Sequence, residues 1–372
     1  MDFNYNDNQQ MLRDTVDRFL TDKYDLPTRH KLLSNPEGET ALWREMAELG
    51  LIGAAFPEEV GGYAASSIDA MVVMERFGRH LVTLPYLTTA IVCGRLLIVG
   101  GRSHLIERVI AGEARLALAA GSTHALRSAE DHSFTATANG DGWTISGRMP
   151  VVIGGDSADY LIVAARTSEK LGDLHGVTLF LVDADKVARR SFRMIDAHGA
   201  AEVVIDALTV GADAVLGDVG GGVPLVELAL DHGIAAACGE AIGSMGHLVP
   251  ATVEYTRTRE QYGAPLAKFQ VLQHRMADMY IQTETARSMA YVASMSLDGD
   301  ASERTRITSA AKAQIGKSAK FVGYQAVQLH GGMGVSEELD IGHHYIRLTT
   351  LNQLFGDTAF HLRRFAAAGA RP

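Results

Sequence analysis

Near the C-terminus, a Gly-Asp-Thr triplet interrupts two apolar helical segments in "LNQLFGDTAF", residues 351–360. A carboxylate at such a break suits two jobs. Asp357 can take a proton at the mouth of a cleft, or it can accept the free amides that open the last helix. Two further stretches carry residues suited to holding an anion. In "TRTREQYGAPLAKFQ", residues 256–270, Arg257, Arg259 and Gln261 stand beside a glycine where one long helix ends. Guanidinium and amide donors at an interhelix turn suit a pyrophosphate, and the same arginines suit plain helix C-capping. In "QAVQLHGGMGV", 325–335, a Gly-Gly-x-Gly run lets backbone approach a ligand closely, or simply ends a helix.

The whole chain narrows the choice. With 372 residues it exceeds the size at which one core stops growing, so two or three domains are expected. Hydrophobic residues make up 47% and charged residues 21%, the balance of a globular protein with a large interior. The net charge is -10 and the basic residues are scattered, which argues against nucleic acid as a partner. Cys93 and Cys238 show no metal-like or CxxC spacing, so reduced thiols, a cytoplasmic location and no metal are expected. The acidic, polar N-terminus is unlike a secretory signal. The longest apolar stretch, 81–101, carries Pro85 and Arg95, so no membrane span is expected.

The elements that must position these residues follow from periodicity. "QQMLRDTVDRFLTDKY" sets Met11, Leu12, Val16, Phe19 and Leu20 on one helical face, and "TALWREMAELGLIGAAF" repeats the pattern before Pro57, Gly61 and Gly62 break it. From residue 114 short β-rich runs alternate with Gly, Asp and Asn, and "NGDG" at 139–142 marks a hairpin. Long helices return after residue 220, with Gly243 and Gly246 placed for close helix packing and Pro250 placed to kink the first of them. The expected fold is a multidomain α+β chain. A helical domain occupies 1–113, a β-barrel or sandwich 114–220, and a helical bundle that oligomerises 221–372.

Taken together and in this order, the stretches resemble the acyl-CoA dehydrogenase flavoprotein family over almost the entire chain. "ELGLIGAAFPEEVGG" is similar to its N-terminal signature, "GGDSADYLIVAAR" to its β-domain strand, and "REQYGAPLAKFQVLQHRMADM" to its most specific motif. "VMERFGRHLVTLPYL" resembles the small subunits of heteromeric bacterial members such as pimeloyl-CoA dehydrogenase. The resemblance implies an acyl-CoA dehydrogenase-like fold with a C-terminal four-helix bundle. It also implies FAD as cofactor, an acyl-CoA thioester as substrate and electron-transfer flavoprotein as acceptor. A desolvated carboxylate would take the α-proton while the β-hydride passes to the flavin.

Measured against that family, the chain departs at its own site. Gly356 occupies the usual position of the catalytic Glu, and Asp357 falls one residue later. Gly233 occupies the alternative base position. Asp231 matches a substrate-side Asp, while Ile234 stands where an Arg is usual. Met149, Val151 and Ile153 replace a Lys, an aromatic and a Thr beside the flavin ring, and the upstream loop reads "GSTHALRS", 121–128. Ile153 offers no donor and Val151 no stacking face.

The residues that the resemblance assigns to the ADP half of a neighbouring chain's FAD are all present: Arg259, Gln261, Tyr262, Gln328, Gly331 and Gly332. Thr358 matches a further cofactor contact. The pattern implies the non-catalytic subunit of an α2β2 assembly with a related chain. Two other readings stay open: a self-sufficient homotetramer using Asp357 or Glu240 as base, and a flavin-free scaffold or acyl-CoA-binding subunit. Asp231 is either a substrate contact or a helix-surface charge. His330, His343 and His344 read as structural or interfacial. Kinship with pimeloyl-CoA and steroid side-chain systems points to an acyl group bulkier or more polar than a simple fatty chain.

Overall fold

This computed structural model describes residues 5–64, 66–121, 133–168 and 176–369. Six helices come first: α1 (Asp7–Lys23), α2 (Leu26–Leu32), α3 (Pro36–Glu48), α4 (Ser67–His80), α5 (Gly94–Val99), entered through a π-helical turn at Leu87–Cys93, and α6 (Ser103–Ile110). Strands β1 (Leu116–Ala119), β2 (Phe134–Asn139), β3 (Gly142–Ile153), β4 (Tyr160–Arg166), β5 (Val177–Asp183), β6 (Ala188–Arg193), β7 (Gly199–Gly211) and β8 (Val215–Leu216) follow. The long helix α7 (Gly222–Thr258) leads to a hairpin, β9 (Glu260–Gln261) and β10 (Ala264–Pro265). Helices α8 (Gln270–Met295), α9 (Ala301–His330), α10 (Ile341–Gln353) and α11 (Thr358–Gly369) close the chain.

Two compact units emerge from this order. One joins Met1–Ser34, Ser66–Val82 and Ile234–Pro372; the other joins Asn35–Ala65 and Thr83–Gly233. The helices of the first 113 residues are thus shared between the units.

In the helical unit, α9 buries Ala311, Ile315, Ala319, Val322, Ala326 and Leu329, one stripe at three- and four-residue spacing. Ile234, Cys238, Ile242 and Met245 of α7 and Met279, Ala286 and Ala290 of α8 complete that core. Helix α4 crosses α7 at backbone distance. A Cβ at Gly243 would lie 1.7 Å from the Glu75 carbonyl oxygen, and one at Gly78 1.8 Å from that of Glu240. Gly243 therefore does the packing job expected of it. Gly246 does not, since the nearest atom to a Cβ there is the Arg287 guanidinium at 3.6 Å. Helix α7 runs on as one helix through Pro250.

In the sheet unit the strands follow the order β6-β7-β3-β2-β4-β5-β8, with β1 paired to β4. Strands β2 and β4 meet at the single pair Thr135 and Arg166. The sheet curls about that junction, because Ile145 and Met149 of β3 share a core with Leu161 and Val163 of β4 and Phe180 of β5. Trp143 meets Phe180 edge to face with ring centres 5.7 Å apart. The described strands of this unit form one sheet whose end strands, β6 and β8, do not pair, so it is not a closed barrel. The expected hairpin at 139–142 is present, with Asn139 paired to Gly142.

Candidate active site and cofactor clamp

The break between α10 and α11 is a strapped turn. Phe355 and Gly356 both have positive φ, 61° and 110°. Lys312, on the small-residue face of α9, donates from Nζ to the carbonyls of Asn352 at 3.0 Å and Gly356 at 2.9 Å. Thr358 Oγ1 donates to Asn352 Oδ1 at 3.1 Å, and His361 Nε2 donates to the Phe355 carbonyl at 3.1 Å. Burial lowers the Lys312 ammonium to about 8. Burial, with Lys312 and Arg364 nearby, lowers His361 to about 3, so its imidazole is neutral.

A side chain at Gly356 would have to displace the Phe360 ring. A Cβ on Gly356 would lie 2.3 Å from Cδ1 of Phe360, and φ of 110° is strained for any L-residue. Asp357, the next residue, has a structural use. Its Oδ1 accepts the Phe360 amide at 2.7 Å, the hydrogen bond of an N-cap on α11. Thr358, matched to a cofactor contact, spends its proton inside the turn on Asn352.

Glu240 is likewise committed. It is buried, and both its oxygens face Arg347, Nε to Oε1 at 2.5 Å and Nη2 to Oε2 at 2.8 Å. Such a bidentate pair leaves the carboxylate nothing with which to take a proton unless a buried ion pair is broken. Asp231 is fully buried on α7, which excludes the helix-surface reading. Gly233 and Ile234 beside it are buried too.

Strand β3 does not alternate simply. Simple alternation would set Met149, Val151 and Ile153 on one face. The β3–β7 register shifts between Met149 and Val152, so Met149 turns into the sheet core while Val151 is 46% exposed. Beyond Gly121, the loop at 121–128 lies outside the described residues.

The two stretches read as candidates for holding an anion converge within the helical unit. Tyr255, one turn before the end of α7, stacks on His330 at the end of α9, with ring centres 4.3 Å apart, and donates to its carbonyl at 3.2 Å. His330 Nδ1 donates to the Ala326 carbonyl at 2.8 Å, which makes this histidine a structural post. The post holds the end of α7, where Arg259 begins the β9–β10 hairpin, against the Gly331–Val335 turn. Arg259, Gln261, Tyr262, Gln328, Gly331 and Gly332 are all exposed, Tyr262 to 92%. A Cβ on Gly331 or Gly332 would meet nothing within 4 Å.

That arrangement suits donors reaching beyond their own chain. Its combination with the α10–α11 turn on one helical unit agrees with the wider comparisons. Residues 6–115 match the N-terminal domain, and residues 220–370 the C-terminal domain, of acyl-CoA dehydrogenases. The chain belongs to the acyl-CoA dehydrogenase family. Relatives include the short-chain specific acyl-CoA dehydrogenase of Megasphaera elsdenii, 28% identical, with 96% of each chain covered. Among solved structures, the butyryl-CoA dehydrogenase of Megasphaera elsdenii superposes with a TM-score of 0.89 at 26% identity over the full length of both chains. A variant of the Tcur3481-Tcur3483 steroid acyl-CoA dehydrogenase does so with a TM-score of 0.84 at 26% identity over 98% of each chain. No described helix is long and apolar enough to cross a membrane.

Three residues of these sites escape a reading by motif: Lys312, Arg347 and Tyr255. Lys312 leaves a faint signal, a lone cation on a stripe with Gly316 and Ala319. Arg347 leaves none, since its partner is 107 residues away.

Proposed function

We propose that this chain is the base-less subunit of a heteromeric FAD-dependent acyl-CoA dehydrogenase, clamping the ADP half of a partner chain's FAD. The observation that carries the reading is the packing of Gly356. Where the base belongs there is a positive-φ glycine with the Phe360 ring in the space a side chain would need. The two other carboxylates open to that role, Asp357 and Glu240, are spent on a helix cap and an ion pair.

The residues present fit one half of FAD and not the other. Arg259, Gln261 and Gln328 supply charge and amide donors for a pyrophosphate, and Gly331 and Gly332 leave room for backbone approach. On the flavin-ring side, buried Met149 and apolar Val151 supply no donor. FAD held there would supply a hydride acceptor for the β-hydrogen of an acyl-CoA whose α-proton a base removes. In this reading the base and the ring contacts come from a related chain in an α2β2 assembly, and electrons leave to an electron-transfer flavoprotein. This chain's own part is to hold the nucleotide end in place. The similarity to the Tcur3481-Tcur3483 steroid enzyme supports a paired assembly and a bulky acyl group.

The test is flavin stoichiometry. The chain purified alone should carry no FAD, and co-expressed with its related partner it should yield one FAD per two chains. Arg259→Ala should reduce FAD retention in the complex about tenfold or more, as expected for losing a charge-assisted contact worth ~1.5–3 kcal/mol. One FAD per chain in the lone protein, or unchanged retention in the Arg259→Ala complex, defeats the assignment.

A further inference from the structure

The helical unit contains a cluster that the flavin reading does not use. His247 on α7, and Asp340 and His344 at the start of α10, bring one ligand atom each to within 4.8 Å of the other two. We propose that these three side chains form a binding site for a first-row divalent metal ion, with Zn2+ its closest chemical fit. Two imidazoles and one carboxylate are a donor set that such ions prefer to Mg2+ or Ca2+.

The arrangement is built from both elements. Asp340 and His344 are four residues apart and tied by the His344 amide donating to the Asp340 carbonyl at 2.9 Å, so both side chains lie along one helical turn. The His247 and His344 rings stack with centres 4.5 Å apart and planes inclined by 22°, like two fingers side by side. His247 Nε2 lies 2.8 Å from Asp340 Oδ2, an imidazole–carboxylate contact that already brings two of the three ligand atoms together.

The second His is oriented from behind. Ser244, one turn earlier on α7, meets His344 Nδ1 at 2.7 Å. With Nδ1–H donating to Ser244, the other ring nitrogen of this fully buried imidazole keeps its lone pair for a metal. This is the outer-shell arrangement that fixes the tautomer of metal-ligating histidines. His247 stands 93 residues from Asp340, a separation that no spacing motif spans.

Closing a tetrahedral shell at ~2.0–2.1 Å per bond sets ligands about 3.3 Å apart, so a pair 4.8 Å apart must approach by about 1.5 Å while the 2.8 Å His247–Asp340 pair opens slightly. A rotamer adjustment of the part-exposed His247 and Asp340 supplies that. With one carboxylate and three protein ligands, a water completes the shell, and the affinity should be micromolar rather than that of a zinc finger. Occupied, the site would staple α7 to α10 five residues beyond the Gly331–Val335 turn.

The test uses the full chain, freed of metal with a chelator and dialysed against ZnCl2 at defined concentrations. Bound zinc is counted by plasma mass spectrometry and ligands are read by X-ray absorption. One equivalent per chain with two imidazoles in the shell is expected. His247→Gln and Asp340→Asn should each weaken binding at least tenfold, while His30→Gln, on the neighbouring His30–His343 contact, should leave it unchanged. Circular dichroism confirms that each variant is folded. Absence of a stoichiometric ion, or binding undiminished in His247→Gln and Asp340→Asn, overturns the proposal. Neither outcome depends on flavin content, so this site and the subunit assignment stand or fall separately.

Discussion

Replacing Glu240 by Gln separates a structural carboxylate from a catalytic one. Glu240 is 2% exposed and Arg347 5%, and their contact is bidentate at 2.5 and 2.8 Å. Removing that charge takes the bidentate Glu240 partner from the buried Arg347 guanidinium, a loss of about 3–5 kcal/mol. With a urea slope of roughly 2–3 kcal/mol per molar for a unit of this size, the midpoint of the helical unit's transition should fall by roughly 1–2 M. Far-UV circular dichroism reads the transition directly. The double variant Glu240→Leu with Arg347→Met removes both charges and fills the space with apolar atoms, so it should recover most of the loss. A catalytic carboxylate would behave in the opposite way. If Glu240→Gln keeps the wild-type midpoint within 0.3 M (roughly the ~1 kcal/mol resolution of the extrapolation) while abolishing turnover of the assembled enzyme, the ion pair is not structural and Glu240 is the base after all.

Other outcomes follow from the strapped turn. Gly356→Glu should not create a self-sufficient enzyme. The positive φ and the 2.3 Å approach of Phe360 should cost ~1–3 kcal/mol, visible as a lowered urea midpoint, and acyl-CoA should still fail to bleach flavin in the lone chain. Asp357→Ala should cost ~0.5–2 kcal/mol through the lost cap and leave the turnover of the complex within about twofold of wild type. Burial lowers Lys312 from its unfolded value of 10.5 to about 8, so the unfolded chain binds more protons between these limits and stability rises with pH across them. Lys312→Met should flatten that rise, measured as urea midpoints at pH 7.5 and 9.5 (values bracketing most of this window). His361, lowered from 6.5 to about 3, contributes stability that is lost as pH falls through that interval, and His361→Gln should reduce this acid sensitivity in the same assay.

The sequence by itself determined the kinds of element and most of their limits. Apolar spacing of three and four specifies the stripe from Ala311 to Leu329, and alternation with Asn and Gly specifies the hairpin at Asn139–Gly142. It also determined that Gly356 carries no carboxylate and Val151 no side-chain donor in any fold. Only the tertiary structure decided what the remaining polar groups do. Asp357 is a cap because the Phe360 amide lies 2.7 Å away, and Glu240 is an ion-pair partner because α10 carries Arg347 to it across 107 residues. The bulge that turns Met149 inward and leaves Val151 out is a property of the β3–β7 register, which neither strand encodes alone. Local periodicity specifies which face of an element is buried. The partner of a buried charge depends on contacts between segments far apart in the chain, and those exist only once the helices have packed.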